Sequence, residues 1–241
     1  MIRIRNLDFH YPGSAFTLRI DDLVIGAGER FGLTGPSGSG KTTLINIIAG
    51  ILKPRAGEVV VAGTEISRRN DRRNREFRIS NIGFIFQNFE LLDYLTVEQN
   101  ILLPITIGRG LRADAAIRER MESTLERMGI ADRRRAYPRS LSQGEKQRVA
   151  ICRAVINEPR LVIADEPTAN LDRRNAARVI ELILEIVQEN RSTFLMVTHD
   201  PAYFEIFPRR LDLADLEEGS AQVHATSPAG SQDDSGETRH V

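Results

Sequence analysis

Residues 30–42 read Arg30-Phe31-Gly32-Leu33-Thr34-Gly35-Pro36-Ser37-Gly38-Ser39-Gly40-Lys41-Thr42, and this stretch decides the fold. Its last eight residues satisfy the pattern G-x-x-x-x-G-K-[ST]. Residues 30–34 predict a short strand, and the apolar run 41–52 predicts a helix stopped by Pro54. Glycines in such a loop let successive backbone N–H groups converge on one phosphate chain, and the helix N-terminus adds partial positive charge. Lys41 then supplies a point charge to the β and γ phosphates, and the Thr42 hydroxyl is a ligand for Mg²⁺. Read instead as a flexible Gly/Ser linker, these residue types would meet this spacing by accident roughly 0.002 times. The motif alone leaves kinases, GTPases and motor ATPases open. Absence of an Asn-Lys-x-Asp base-recognition motif weighs against a GTPase.

Outward from the loop, Ile2 and Ile4, then Phe16, Leu18 and Ile20, alternate with polar residues and predict strands separated by a turn at Pro12-Gly13-Ser14. Residues 58–62 and 82–87 predict further strands. Between them, 68–78 carries six arginines and predicts an exposed helix or loop. From about residue 88 the character turns helical. Ile117, Met121, Leu125 and Met128 form an apolar stripe that ends at Gly129. Residues 161–164 are apolar on both faces and too short for a helix, as expected of a central strand in a parallel sheet, and 193–198 repeats that pattern after a helix over 176–187. Strands alternating with helices imply an α/β fold. The strand at 161–164 runs into Asp165-Glu166. Ligands of such sheets bind at the carboxyl ends of the strands, so Asp165 is a candidate for the metal and Glu166 for orienting or deprotonating the attacking water.

Composition excludes several classes. The 241 residues hold 33 basic and 33 acidic side chains, so a generic nucleic-acid coat protein is not expected. Charge is uneven: 215–241 has six carboxylates against Arg239, so 1–214 is correspondingly basic. Lysine occurs only at positions 41, 53 and 146, which singles out Lys41. One cysteine, Cys152, excludes a disulfide framework and a cysteine-based zinc cluster, and core packing is its expected role. The run 44–52 falls far short of the ~20 apolar residues that span a bilayer, and the first residues lack the apolar core of a signal peptide. A soluble, cytoplasmic protein is therefore expected.

Other segments complete a pattern: Leu141-Ser142-Gln143-Gly144-Glu145-Lys146-Gln147-Arg148 between the two motifs, Ala169-Asn170-Leu171-Asp172 and Thr198-His199-Asp200 after them, Gln87 in FIFQNF, and Tyr11 near the start. Over about residues 1–205 this order resembles the ATP-binding subunits of ABC transporters. The segments 84–104 and 164–172 look most like the group with lipoprotein-release, macrolide-export and cell-division ATPases. The resemblance implies a P-loop ATPase with an N-terminal antiparallel β-subdomain, a parallel-sheet core and an α-helical signature subdomain. The ATPase domain would span 1–214, with the helical subdomain inserted at about 88–159, and 215–241 would be an acidic disordered tail.

It further implies a head-to-tail homodimer, each ATP sandwiched between one phosphate loop and the other subunit's signature. Tyr11 would stack on adenine. Gly35, Pro36, Ser37, Gly38, Ser39 and Gly40 would shape the loop, and Lys41, Thr42 and Thr43 would hold phosphates and metal. Gln87 would contact Mg²⁺ or the lytic water, and His199 would reach the γ-phosphate beside Glu166 and Asp165. Ser142, Gln143, Gly144, Glu145 and Asp172 would act across the dimer. ATP and Mg²⁺ are the implied cofactors. Separate transmembrane permease subunits, docked near 87–95 on the inner face of the cell membrane, are the implied partners, with no nucleic acid. The signature departs from LSGGQ, having Gln143 for glycine and Glu145 for glutamine. Independently, Ser142-x-x-Glu145 is a capping box opening a helix that carries Val149, Cys152 and Val155. Taken alone, Tyr11 also fits a turn aromatic and His199 a satisfied strand-end histidine. The arginines of 68–78 fit a solvated face, an anionic lipid surface or an acidic partner. Two rival functions stay open: an ABC ATPase regulating a mechanical or cell-envelope complex without transport, and a soluble nucleic-acid-linked ABC protein.

Overall fold

The computed structural model describes residues 1–108, 112–169, 171–217 and 224–225. Strands β1 (Ile2–His10), β2 (Thr17–Ile25), β4 (Ala56–Val61) and β5 (Thr64–Glu65) form an antiparallel sheet ordered β2-β1-β4-β5. Strands β3 (Arg30–Thr34), β6 (Ile82–Ile85), β7 (Leu161–Asp165), β8 (Thr193–Val197) and β9 (Arg209–Asp212) form a parallel sheet ordered β9-β3-β8-β7-β6, and the two residues His224–Ala225 add an antiparallel edge on β9.

Burial follows strand period. In β1, Ile2 and Ile4 point inward, then Leu7 and Phe9, so the inward phase flips at Asn6, whose φ is 48°. The register against β4 shifts at that point. This bulge brings the chain so close to Gly57 that a Cβ there would lie 2.4 Å from the Asn6 carbonyl oxygen. In the parallel sheet, Leu161, Ile163, Leu195 and Val197 pack with the antiparallel sheet and α1 (Lys41–Ile48). Their neighbours Val162, Ala164, Phe194 and Met196 pack on the other face with α6 (Gln143–Val155) and α7 (Arg173–Glu189). Helices on both faces explain why β7 and β8 are apolar throughout.

The remaining α-helices in chain order are α2 (Asp71–Asn81), α3 (Val97–Ile101), α4 (Leu103–Ile107), α5 (Ala115–Arg127) and the four-residue α8 (Ala214–Glu217). Three expectations change in detail. The helix after the phosphate loop ends at Ile48, because Gly50 takes φ 65° and the N–H of Ile51 bonds the carbonyl of Asn46; the glycine stops the helix before Pro54 is reached. The arginine segment is partly helical from Asp71, capped by Asn70, with Asn74 and Phe77 buried. The strand expected over 82–87 ends at Ile85. The acidic tail expected over 215–241 lies largely outside the described residues, as does Asn170.

Helix α6 is set directly on β6. A Cβ on Gly83 would lie 2.1 Å from the carbonyl oxygen of Ala154, so the helix backbone rests against the strand with no side chain between. Helices α3 and α5 pack against α6 in turn. Cys152 is fully buried on this helix, and burial pushes its thiol up to about 12, which leaves it a small hydrophobe.

Candidate nucleotide site

Strand β3 ends at Thr34, the loop turns through Gly35 to Gly40, and α1 begins at Lys41. Gly40 caps that helix with φ 99°, and a Cβ there would lie 2.7 Å from the Phe16 ring, so a side chain is excluded by both torsion and space. Lys41 is 8% exposed, and its Nζ donates to the carbonyls of Gly35 (2.8 Å) and Pro36 (2.7 Å). The ammonium is thereby held over the loop interior, with its third N–H uncommitted to these two oxygens.

A cleft of about 680 Å³ opens over this loop. Its walls include Tyr11, Gly35, Pro36, Ser37, Gly38, Gly40, Lys41, Thr42, Thr43, Gln87, Asp165, Glu166 and His199. Five sequence-distant segments thus converge as the motif order suggested. Ser39 is the exception among the expected loop residues: it is buried, and its hydroxyl has no hydrogen-bond partner among the described residues.

Asp165 closes β7, and its Oδ2 lies 3.5 Å from the Thr42 hydroxyl oxygen. Burial, then the adjacent Glu166 charge, raises the Asp165 pKa, while Thr42 and Lys41 oppose the shift. A hydroxyl and a carboxylate at this separation are the hard oxygen donors that Mg²⁺ takes together with phosphate oxygens. Glu166 stands one residue beyond the strand at φ 45°, unusual for a non-glycine residue, and its N–H bonds the Val197 carbonyl. His199 Nδ1 is 3.0 Å from Glu166 Oε1.

Tyr11 has two attachments. Its hydroxyl lies 3.0 Å from Thr43 Oγ1, and its ring meets Phe9 edge-on at 4.9 Å. Phe16 leans on the same ring at 5.9 Å and also lines the cleft. Sequence reasoning counted Phe16 only as strand alternation, yet β2 starts after it. Together Tyr11 and Phe16 make an apolar wall beside the phosphate loop, suited to a flat base.

The expected trans residues lie elsewhere, each at a helix start. Ser142 caps α6, with the reciprocal capping box to Glu145 present, and Asp172 caps α7 by accepting from Asn175 N at 3.0 Å. None of Ser142, Gln143, Gly144, Glu145 or Asp172 lines the cleft. Gly144 has open space where a Cβ would stand, with only an Arg148 nitrogen at 3.8 Å.

Two side chains that the motifs did not flag hold the loop after Gln87. Phe89 and Glu90 both have positive φ, 63° and 49°. Arg153 of α6, only 9% exposed, donates to both of their carbonyls, at 2.6 Å to Phe89. Asn100, fully buried, donates to the carbonyls of Leu92, Leu95 and Thr96 and accepts from Leu92 N. The only sequence signal was an arginine in an apolar helical face. Local spacing does not announce its role, because the carbonyls it serves lie some sixty positions upstream.

Known proteins resemble the chain over most of its length. A family model described as ABC transporter matches residues 18–169. The chain is 43% identical over 210 residues to the lipoprotein-releasing system ATP-binding protein LolD 1 of Caulobacter vibrioides, covering 87% of this chain and 88% of that one. To the methionine import ATP-binding protein MetN of Carboxydothermus hydrogenoformans it is 41% identical over 202 residues; the match takes in 83% of this chain but 59% of MetN's length. The dimeric post-hydrolysis state of the ATP-binding cassette MJ0796, bound to ADP and Pi, superposes with a TM-score of 0.79 at 32% identity, over 88% of this chain and 94% of that one. With a phosphate loop, an acidic strand end and a histidine in one cleft, and these likenesses over most of its length, the chain belongs to the ABC transporter family, as one of its ATP-binding subunits.

Proposed function

We propose that the cleft binds Mg-ATP, that two copies close head-to-tail around the nucleotides, and that the closing and opening cycle drives separate transmembrane subunits on the inner face of the cell membrane. The chain is the Mg-dependent ATPase of such a complex. The observation that carries this reading is the convergence of Lys41, Asp165, Glu166 and His199 in one cleft.

Each side chain has a task set by its chemistry. Tyr11 and Phe16 receive the base. Backbone N–H groups of the loop and the Lys41 ammonium bind the phosphates, Lys41 exchanging carbonyl partners for phosphate oxygens. Thr42 and Asp165 hold Mg²⁺, with Gln87 beside them; when bound, the ion neutralises charge developing on the β and γ phosphates. Glu166 orients the attacking water and accepts its proton, and His199 donates to the γ-phosphate. Ser142, Gln143, Gly144 and Glu145 present the α6 N-terminus, and Asp172 the α7 N-terminus, to the other copy. An anion meeting a helix N-terminus gains from its unpaired N–H groups. Gln143 keeps its backbone N–H and so preserves that contribution.

We infer a docking place for the transmembrane partner. A second cleft of about 230 Å³ is lined by Ile51, Phe84, Phe86, Leu103, Pro104 and Ile107, with Arg153 and Glu90 at its edge. Ile51 and Ile107 are 45% and 57% exposed, unusually open for isoleucine, and suit an apolar helix end. Among the described residues no helix is long and apolar enough to cross a membrane. Because Arg153 holds the Phe89 and Glu90 carbonyls, displacement in this cleft is felt by the Gln87 loop and by α6 together. The likeness to LolD 1 favours lipoprotein release as the work performed.

The test is Mg-ATP hydrolysis against protein concentration, beside Glu166→Gln. A rate rising faster than linearly, lost in the variant while ATP drives the variant to dimers, supports the reading. Hydrolysis by a strictly monomeric protein overturns the composite site.

A further inference from the structure

The signature of this chain carries a carboxylate, and the structure shows what that carboxylate does. Glu145 Oε2 accepts from both the backbone N–H and the hydroxyl of Ser142, each at 2.8 Å. In return the Ser142 hydroxyl oxygen accepts from the Glu145 N–H at 3.3 Å. The other oxygen, Oε1, accepts from Arg133 Nε at 2.8 Å. Arg133 does not belong to α6. It closes the short 3₁₀ turn Ala131–Arg133, where its Nε also stands 3.5 Å from Asp132. The Glu145 carboxyl is drawn down to about 2, chiefly by Ser142 and then by Arg133, so it is an anion throughout the physiological range.

This anion sits in the first turn of the helix whose N-terminus, by the reading above, faces the partner copy's triphosphate. Left bare, it would oppose a highly charged ligand, and like charges brought together in a closing, water-poor interface repel strongly. Arg133 removes the difficulty in two ways. It sets a cation against that charge, one it shares with Asp132, and by holding Oε1 it keeps the carboxylate turned toward Ser142. The side chain is half exposed, so it contributes little to the fold itself.

The geometry points to Arg133 as a positioning residue for ATP-driven pairing, acting through Glu145 on the signature serine. This rests on the proposal that the α6 N-terminus works across two subunits. It accounts for an acidic residue in a phosphate-facing motif by naming the cation that makes it tolerable.

The experiment follows ATP-dependent dimerisation by light scattering in the Glu166→Gln background, with steady-state hydrolysis of the otherwise unaltered chain alongside. Arg133→Ala is expected to raise the protein concentration for half-pairing about tenfold, equivalent to one partly screened charge. The defect should shrink between about 0.05 M and about 0.5 M salt, as the Debye length falls. Arg133→Lys should retain most of the pairing. Arg133→Ala combined with Glu145→Gln should return close to the unaltered value, a rescue that a merely structural role of Arg133 does not give. Unchanged pairing in Arg133→Ala, or a defect that Glu145→Gln does not repair, overturns the inference. Ser142→Asp separates the two levels, because aspartate caps a helix as well as serine but adds an anion. If that variant pairs normally, the trans role of α6 falls and this inference falls with it. If it fails to pair while Arg133→Ala pairs normally, only the role of Arg133 is lost.

Discussion

His199 and Glu166, 33 positions apart in the chain, meet with Nδ1 of one 3.0 Å from Oε1 of the other. Parallel pairing of β7 with β8 places Asp165 opposite Val197, so the residues following each strand emerge at the same edge of the sheet. An ionised carboxylate only accepts, so this contact is a hydrogen bond when Nδ1 carries a proton, and the ring donates to a phosphate as well only when Nε2 also carries one. Glu166→Gln should therefore lower the hydrolysis rate by about 10²-fold or more while ATP binding persists, as expected when a general base is removed. His199→Ala should also slow turnover, with less effect on binding. Parallel turnover and equilibrium nucleotide-binding measurements check both.

Lys41 is nearly buried and already bonded to two loop carbonyls. Lys41→Ala leaves Gly35 and Pro36 oxygens facing the phosphates with no cation between. ATP affinity should drop at least about tenfold, the effect of losing a charge-assisted bond in a desolvated site. Titration with a fluorescent ATP analogue measures it.

Arg153 ties α6 to two left-handed residues of the Gln87 loop. Arg153→Ala strands the carbonyl of the buried Phe89, at about 1–3 kcal/mol. For a domain of this size the melting temperature should fall by roughly 2–4 °C for each kcal/mol. Arg153→Lys recovers only part of it, since an ammonium lacks the planar fork that reaches both oxygens. Thermal unfolding of the three proteins provides the comparison.

Gly83 separates β6 from α6 by nothing but van der Waals contact. Gly83→Ala must push the helix off the strand, and overpacking of this kind destabilises by about 1–3 kcal/mol. Because α6 also carries Ser142, pairing should weaken along with stability. Denaturant unfolding and ATP-driven dimerisation, measured on the same preparation, test the link.

Glu145 gives a pH signature. Its folded-state pKa, about 2, lies below the unfolded value near 4.3, so its contribution is complete above the latter and fades as pH falls through the former. The difference in stability between the unaltered protein and Glu145→Gln should be constant above about pH 5 and shrink between about pH 4.5 and 2. Melting curves across that range decide it.

Much of the site was legible because its chemistry is local. The loop 35–42 carries its own geometry, the capping box at Ser142 and Glu145 forms as the spacing indicated, and both central strands could be recognised from residues apolar on each face. Errors arose where two local signals competed or where an element boundary fell a residue away. The helix expected over 41–52, with Pro54 as its stop, ends at Ile48, because Gly50, free to take φ 65°, breaks it first. Phe16 was absorbed into a strand that begins one residue later. The sequence by itself determined the phosphate loop, the α/β alternation and the identity of the charged groups, since backbone torsion, side-chain period and ionisation are properties of short segments. Only the tertiary structure decided that Glu166 meets His199, that Arg153 holds the Gln87 loop and that Arg133 pairs with Glu145. Those pairings depend on strand order and on one helix resting against a glycine, and no short window of sequence encodes the distance between segments that only the fold brings together.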